Sequence, residues 1–195
     1  MSEARVKILK VEALSHRWAR LDRYEIAYTR SDGRIDHLVR EVHDHGHGAA
    51  VLPHDAARDT VLLVRQFRLP AMLGGGESHI IEACAGLLDG NDPADCARRE
   101  AEEELGYRLR NLRQVASVFM TPGAVTERLT MFLGDYNAND RINDGGGHAH
   151  EGEDIEVLEM SFGEARRLVK SGGIVDAKTV MLIMILERER GLPPL

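Results

Sequence analysis

The chain is poor in cysteine, in surplus positive charge and in long apolar runs, and each shortage closes off a class of function. Cys84 and Cys96 are the only cysteines among 195 residues. Each stands in an apolar or helical segment, without the paired spacing that frames a zinc site or a disulfide network. Reduced thiols in a cytoplasmic protein are the simpler expectation. Lys plus Arg number 25 against 32 for Asp plus Glu, a net charge of −7. A general nucleic-acid binder carries a basic surface, so no nucleic-acid partner is expected. The longest apolar run, Val180 to Leu186, is too short to span a bilayer, and Met1 to Lys10 is charged with no apolar signal core, so no membrane partner is expected either. Repeats and long linkers are missing too. The length suits one domain with a full core and a small appendage. An acidic protein that handles an anion needs local cations, and bound metal is one way to supply them.

What is present reads first as strands and turns. Tyr24 to Thr29 is rich in β-formers, Ser31-Asp32-Gly33 is a turn, and Ile35 to Val42 returns as a second strand. After Gly46 to Gly48, Ala49 to Pro53 is a short strand, and Thr60 to Phe67 has the apolar content of a buried one. Gly74 to Gly76 marks a loop before a short strand at His79 to Ala83. Asp92-Pro93 then reads as an N-cap with Pro at the first helical position, and Gly106 as a stop. Between them Ala94, Ala97, Ala101 and Leu105 form one apolar stripe at helical spacing. Strands follow at Gln114 to Phe119, Arg128 to Gly134 and Ile155 to Met160. Helices follow at Gly163 to Lys170 and Asp176 to Glu189, and Asn137 to Glu153 is a polar, glycine-rich loop. The fold class expected is α/β (α+β): a mixed sheet with a few helices.

The helix ending at Gly106 carries the chemistry. Glu100, Glu103 and Glu104 lie at i, i+3 and i+4 and share a face beside the apolar stripe. Like charges at that spacing cost a helix roughly 0.2–0.5 kcal/mol per pair. A hard divalent cation with oxygen ligands would offset the repulsion, and Mg²⁺ also grips phosphate oxygens. The plain alternative is a solvated acidic face, which is accepted for Glu102.

The run Arg99-Glu100-Ala101-Glu102-Glu103-Glu104-Leu105-Gly106-Tyr107 resembles the signature of the Nudix hydrolases, Arg-Glu-x-x-Glu-Glu-x-Gly on a helix led in by a glycine loop. The loop from Gly86 is shorter than the common pattern, and Asp92 stands where a glutamate is usual. Ile81 to Asp89 (IEACAGLLD) and Val64 to Arg68 resemble the ADP-ribose and GDP-mannose pyrophosphatase branch. Met120 to Glu127, the stretches Gly145 to Gly147 and Glu153 to Glu159, and Asp176 to Thr179 are similar to the GDP-mannose side of it. The likeness runs from about Leu14 to Leu186.

That resemblance implies a Nudix-type α/β/α sandwich with a mixed sheet and an N-terminal β-hairpin region. Residues 1–45 would be dimerising, nucleotide-contacting strands and 46–195 the hydrolase domain. It implies Mg²⁺-dependent hydrolysis of a nucleotide-sugar pyrophosphate, GDP-mannose to GMP and mannose 1-phosphate, with Mn²⁺ as the alternative ion. Glu100, Glu104 and Glu153 would be catalytic, and the metal would be held by Ala85 (through its carbonyl), Glu100, Glu104 and Glu153. The extra residues His148-Ala149-His150 leave Glu151 as a rival to Glu153. Substrate would be bound by Trp18, Arg40, Glu41, Arg68, Ala85, Gly86, Leu87, Glu104, Glu127, Glu153 and Lys178. Within that set Arg68 forks onto a phosphate and Trp18 stacks on guanine. The plain alternatives are solvent for Arg68 and Lys178, packing for Trp18, solvation for His148 and His150, and a hinge at Gly145 to Gly147. The partner expected is a second copy of the chain, a homodimer. Two rival functions stand beside this one: an ADP-ribose pyrophosphatase, and a non-catalytic Nudix-like domain that binds a nucleotide and regulates a partner.

Overall fold

The computed structural model describes residues 5–148 and 152–195. By its internal contacts the chain divides into two units. One takes residues up to His47 with Phe119–Arg128, and the other takes Gly48–Val118 with Leu129–Leu195. Among the described residues no helix is long and apolar enough to cross a membrane.

The first unit is an antiparallel meander of β1 (Val6–His16), β2 (Arg20–Thr29) and β3 (Ile35–Asp44). Gly33 turns the chain from β2 to β3 at φ 85°, a left-handed conformation that glycine adopts without a Cβ penalty. Its neighbour Asp32 accepts the Arg34 amide at 3.1 Å. Two register shifts interrupt the pairing of β1 with β2, which bends and twists the ribbon. Every residue of β1 is exposed. Its apolar residues keep no single period past Ile8-Leu9, and the pattern reading finds β2 and β3 and passes over β1.

The second unit is built on a mixed sheet. Its strands are β4 (Gly48–Asp55), β5 (Thr60–Phe67), β6 (His79–Glu82), β7 (Cys84–Leu87), β8 (Arg110–Phe119), β9 (Arg128–Asp135) and β10 (Glu156–Ser161). The order is β10-β5-β4-β9-β8, with β6 on β5 and β7 on β4. Only β4 and β9 run parallel among the paired strands described. β4 and β5 touch at one end, where His54 and Asp55 face Val61 and Thr60. Beyond that they part: β5 pairs with β6, and β4 pairs with β7 through Gly48 to Val51. The sheet is thus split, and the segment from Glu82 to Leu87 crosses the split.

Among the described residues the α-helices are α1 (Leu69–Leu73), α2 (Pro93–Glu100), α3 (Phe162–Ser171) and α4 (Ala177–Glu189). The Asp92 carboxylate caps α2 through the Ala94 amide at 2.8 Å, and Pro93 stands at its first turn, as the sequence predicts. The apolar stripe packs as expected: Ala97, Ala101 and Leu105 join Cys96, Ala49, Val51, Leu62, Val64 and Phe132 in one buried cluster, with Ala94 at its margin. Side chains alternate along a strand, so Ala50 and Leu52 of largely buried β4 face the other way. Buried Leu182, Ile183 and Leu186 of α4 and Phe162 and Ala165 of α3 belong to that second layer. The predicted helix departs from regularity at one place. Past Glu100 it widens into a π turn, Ala101–Leu105, which Gly106 closes at φ 80°.

Leu182 is fully buried while Met184, two residues on, is half exposed. Leu182→Ala should cost about 2–5 kcal/mol, and Met184→Ala within about 0.5 kcal/mol of nothing. Denaturant unfolding of both variants checks this. Equal losses would mean α4 does not dock by the face described.

Candidate active site

The segment crossing the sheet's split brings backbone against the acidic helix. A Cβ on Gly86 would collide with the Glu100 carboxylate, so only glycine lets that side chain lie across β7. The Ala85 amide donates to Glu104 Oε2 at 3.2 Å, and the Cys84 thiol donates to the same carboxylate. Glu104 is 2% exposed and Glu100 8%. Their helix points them inward because they border the apolar stripe. Glu102, outside that border, pairs with Arg108 at 3.2 Å.

The end of the helix is fixed by the glycine run. The last carbonyls of any helix lack intrahelical partners. Here the Gly146 amide takes the Glu104 carbonyl at 2.9 Å, and the Gly147 amide takes that of Glu103 at 3.1 Å. A Cβ on Gly145 would overlap the Leu105 backbone at 2.7 Å, and one on Gly147 would overlap the Glu153 side chain. Gly145 to Gly147 is therefore a docked strap rather than a free hinge. It leads to His148, whose amide donates to Glu153 Oε2 at 2.8 Å and whose ring lies 3.5 Å from Glu103. Glu151 and His150 lie outside the described residues.

Burial and mutual repulsion dominate the electrostatics. Burial, then the charges of Glu100 and Glu153, push the Glu104 carboxyl up to about 8, against the bonds from Cys84 and Ala85. Burial likewise raises Glu100, as do Glu103 and Glu153, while Arg99 at 2.7 Å works the other way. Arg99 is shared with Glu103 at 2.9 Å. Among the described residues no three acidic, His or Cys side chains are yet drawn round one point. Glu100 is turned onto Arg99. The donor chemistry nonetheless fits a hard divalent cation: carboxylate oxygens from Glu100, Glu104 and Glu153 beside the Ala85 backbone, with Glu104 held by neutral donors.

A second cluster lies alongside. Arg68, at the start of α1, forks onto Glu82 with 2.8 Å from Nε to Oε1 and 2.8 Å from Nη2 to Oε2. Lys178, in the first turn of α4, reaches the same carboxylate at 2.8 Å and Asp176 at 3.0 Å. Arg68 also feels the charge of Glu104, so the two clusters adjoin. Neither cation is the free surface side chain that a plain reading allows. Glu82, which binds both, stands out in the sequence only as part of a motif, because its partners lie 14 and 96 residues away.

The remaining candidates belong to the first unit. Trp18 is 76% exposed and stacks on His45, with ring centroids 5.6 Å apart and planes at 19°. His45 escaped the sequence reading, although the run His43-Asp44-His45-Gly46-His47 marks it as unusual. Arg40 and Glu41 are exposed neighbours on β3, and strand alternation sends them to opposite faces. Glu127 is partly buried in the loop that ties to the end of β3 through His43 and Ala124 at 2.8 Å.

The Glu104 carboxyl titrates above its unfolded value of 4.5, so the folded state holds that proton more tightly. The stability of the neutral form is full below 4.5 and lost as pH rises through about 8. Above that pH, metal-free Glu104→Gln should melt several degrees higher than the unmodified chain, at roughly 2–4 °C per kcal/mol. Divalent metal should raise the melting temperature of the unmodified chain far more than that of the variant. A variant that melts lower, or gains as much from metal, would show that Glu104 bears no uncompensated charge.

Comparison with known proteins identifies the family. The NUDIX domain model matches residues 44–180, and the model of the GDP-mannose pyrophosphatase NudK N-terminal domain matches residues 5–43. A GDP-mannose pyrophosphatase of Escherichia coli O139:H28 is 43% identical over 183 residues, covering 93% of this chain and 95% of the relative. One from Pectobacterium atrosepticum is 44% identical over 179 residues, covering 91% and 92%. In three dimensions the chain is similar to a solved ADP compounds hydrolase, with a TM-score of 0.74 at 18% identity, over 98% of this chain and 97% of the other. That last likeness speaks for the fold. A buried carboxylate set on the signature helix, a family model matched over most of the chain and relatives matched over nearly all of it together place the chain in the Nudix family: it is a Nudix hydrolase.

Proposed function

We propose that this hydrolase cleaves GDP-mannose with water to GMP and mannose 1-phosphate, with Mg²⁺ as its metal. The observation that carries the reading is the buried acidic set of Glu100 and Glu104, with Glu153 beside them, adjoining the cations Arg68 and Lys178. The set suits metal, and the cations suit the phosphates the metal leaves uncovered. The names of the relatives supply the choice of nucleotide sugar.

Mg²⁺ would be held by Glu100, Glu104, Glu153 and the Ala85 carbonyl, where its charge screens the diphosphate and acidifies water. Glu153 orients the attacking water and accepts its proton. An oxygen–phosphorus bond forms as the anhydride bond breaks, and the leaving phosphate departs with the bridging oxygen. Arg68 and Lys178 hold the non-bridging oxygens, and the Ala85 to Leu87 backbone lines the reacting group. The first unit would carry the guanine contacts for a second copy's site, with Trp18 stacking on the ring and Arg40, Glu41 and Glu127 as polar contacts. Glu103 orients the neighbouring groups through Arg99.

Residues 1–45 act as the dimerising part and 46–195 as the hydrolase domain. The exposed apolar residues of edge strand β1, among them Val6, Ile8, Val11 and Leu14, favour burial against a second copy. The two buried free thiols suit the reducing cytoplasm.

Incubation with GDP-mannose and with ADP-ribose under Mg²⁺, with products separated, should release GMP much faster than AMP. Faster AMP would replace the substrate named here, and no hydrolysis across nucleoside diphosphate derivatives would favour a regulatory binding domain. Glu104→Gln should lower kcat at least ~100-fold, since even outer-shell partners of a metal cost 10–100-fold. Near-normal turnover would remove Glu104 from the chemistry. Sedimentation should give twice the 21.7 kDa of one chain, and a monomer at all concentrations would end the dimer reading.

A further inference from the structure

The cations beside the acidic cluster are not independent groups. Glu82 ends β6 at the split in the sheet, 2% exposed. Its two oxygens accept three charge-assisted bonds, two from Arg68 and one from Lys178, each 2.8 Å long. Burial alone would raise this carboxyl, yet Arg68 and Lys178 outweigh it and hold it below its usual range. It stays charged because two cations need it so.

The bonding pattern leaves the guanidinium a defined direction. Arginine has five N–H donors in one plane. Glu82 takes the Nε–H and one Nη2–H, along one edge. The second Nη2 hydrogen and one Nη1 hydrogen form the adjoining edge, and the side chain is 40% exposed. A guanidinium gripped along one edge presents a two-donor edge elsewhere, the geometry that matches two oxygens of a phosphate. The ammonium of Lys178 is confined more tightly, its side chain 12% exposed between Glu82 and Asp176.

The same region bolts down the helix that delivers Lys178. Asp176 caps α4, accepting the Thr179 amide at 3.0 Å. The Thr179 hydroxyl in turn accepts the Ala83 amide at 2.6 Å. Ala83 lies between Glu82 and the Cys84–Ala85 pair that bonds Glu104. One short stretch therefore sets the place of the cations and of the acidic set together.

We propose that Glu82 is a positioning residue for the hydrolysis: a buried carboxylate that touches neither substrate nor metal and aims Arg68 and Lys178 at the pyrophosphate. The proposal rests on the reading above that these two cations bind the phosphates. Pre-aimed cations bind the diphosphate in the ground state and the transition state alike, so their loss falls on KM rather than kcat. With Glu82→Gln, Arg68 loses its charged partner and Lys178 keeps only Asp176, so both side chains regain freedom.

The test is a double-mutant cycle of Glu82→Gln and Arg68→Ala in the full-length protein. With GDP-mannose, Glu82→Gln should raise KM at least tenfold with kcat changed less than threefold. In the Arg68→Ala background the same change should raise KM less than threefold. A merely structural residue would lower kcat through loss of active protein at unchanged KM, and the two substitutions would then multiply; either result overturns the proposal. The cycle is repeated by calorimetry with imidodiphosphate and Mg²⁺, which needs no turnover. If the chain does not cut GDP-mannose but this cycle is non-additive, the substrate reading fails and the role of Glu82 stands. If turnover is normal and both cycles are additive, only the role of Glu82 fails. Should Glu82→Gln fold poorly, Glu82→Asp, which keeps the charge, should recover part of the affinity. Asp no better than Gln would overturn the proposal.

Discussion

Negative charge held out of water beside more negative charge is the condition to which this structure is built. Glu100 and Glu104 sit on the inner border of their helix because Ala97, Ala101 and Leu105 are buried beneath them, so the apolar contact that folds the helix also forces the carboxylates inward. The cost falls on the apo protein, in carboxyl groups that hold protons past their usual range. Neighbouring structure limits the damage without cancelling it. Arg99 takes one side of Glu100 and of Glu103, and neutral donors hold Glu104. Full cancellation of Glu104 by an arginine would leave nothing for a cation to gain.

The split between β4 and β5 gives that condition its address. A continuous sheet would satisfy its backbone internally and carry no segment through its middle. Because β5 turns to β6 and β4 turns to β7, the chain from Glu82 to Leu87 presents both side chains and main chain within the opening. Glycine at position 86 then lets Glu100 lie over that main chain. The strap from Gly145 to Gly147 closes the arrangement from the other end, by bonding the helix's last carbonyls.

Much of this was legible before any coordinates. Asp92-Pro93 and Gly106 bound the acidic helix in sequence and in space, and the spacing of its alanines named the buried face. Local rules carry that far. They miss β1, which buries nothing in the described chain, and β7 and α1, too short for either period to show. They also miss the π turn, since pattern reading assumes one helical pitch throughout. The grip of Glu82 on Arg68 and Lys178 is invisible for a different reason: nothing local to Ile81-Glu82-Ala83 says which distant cations will arrive.

Trp18 is the chain's single tryptophan, and it leans on one imidazole while most of its surface meets solvent. The indole is therefore a built-in lamp placed in the three-stranded unit alone. Excited beyond the absorption of the chain's four tyrosines, its colour and brightness register whatever slides over that ring, and no second indole blurs the signal.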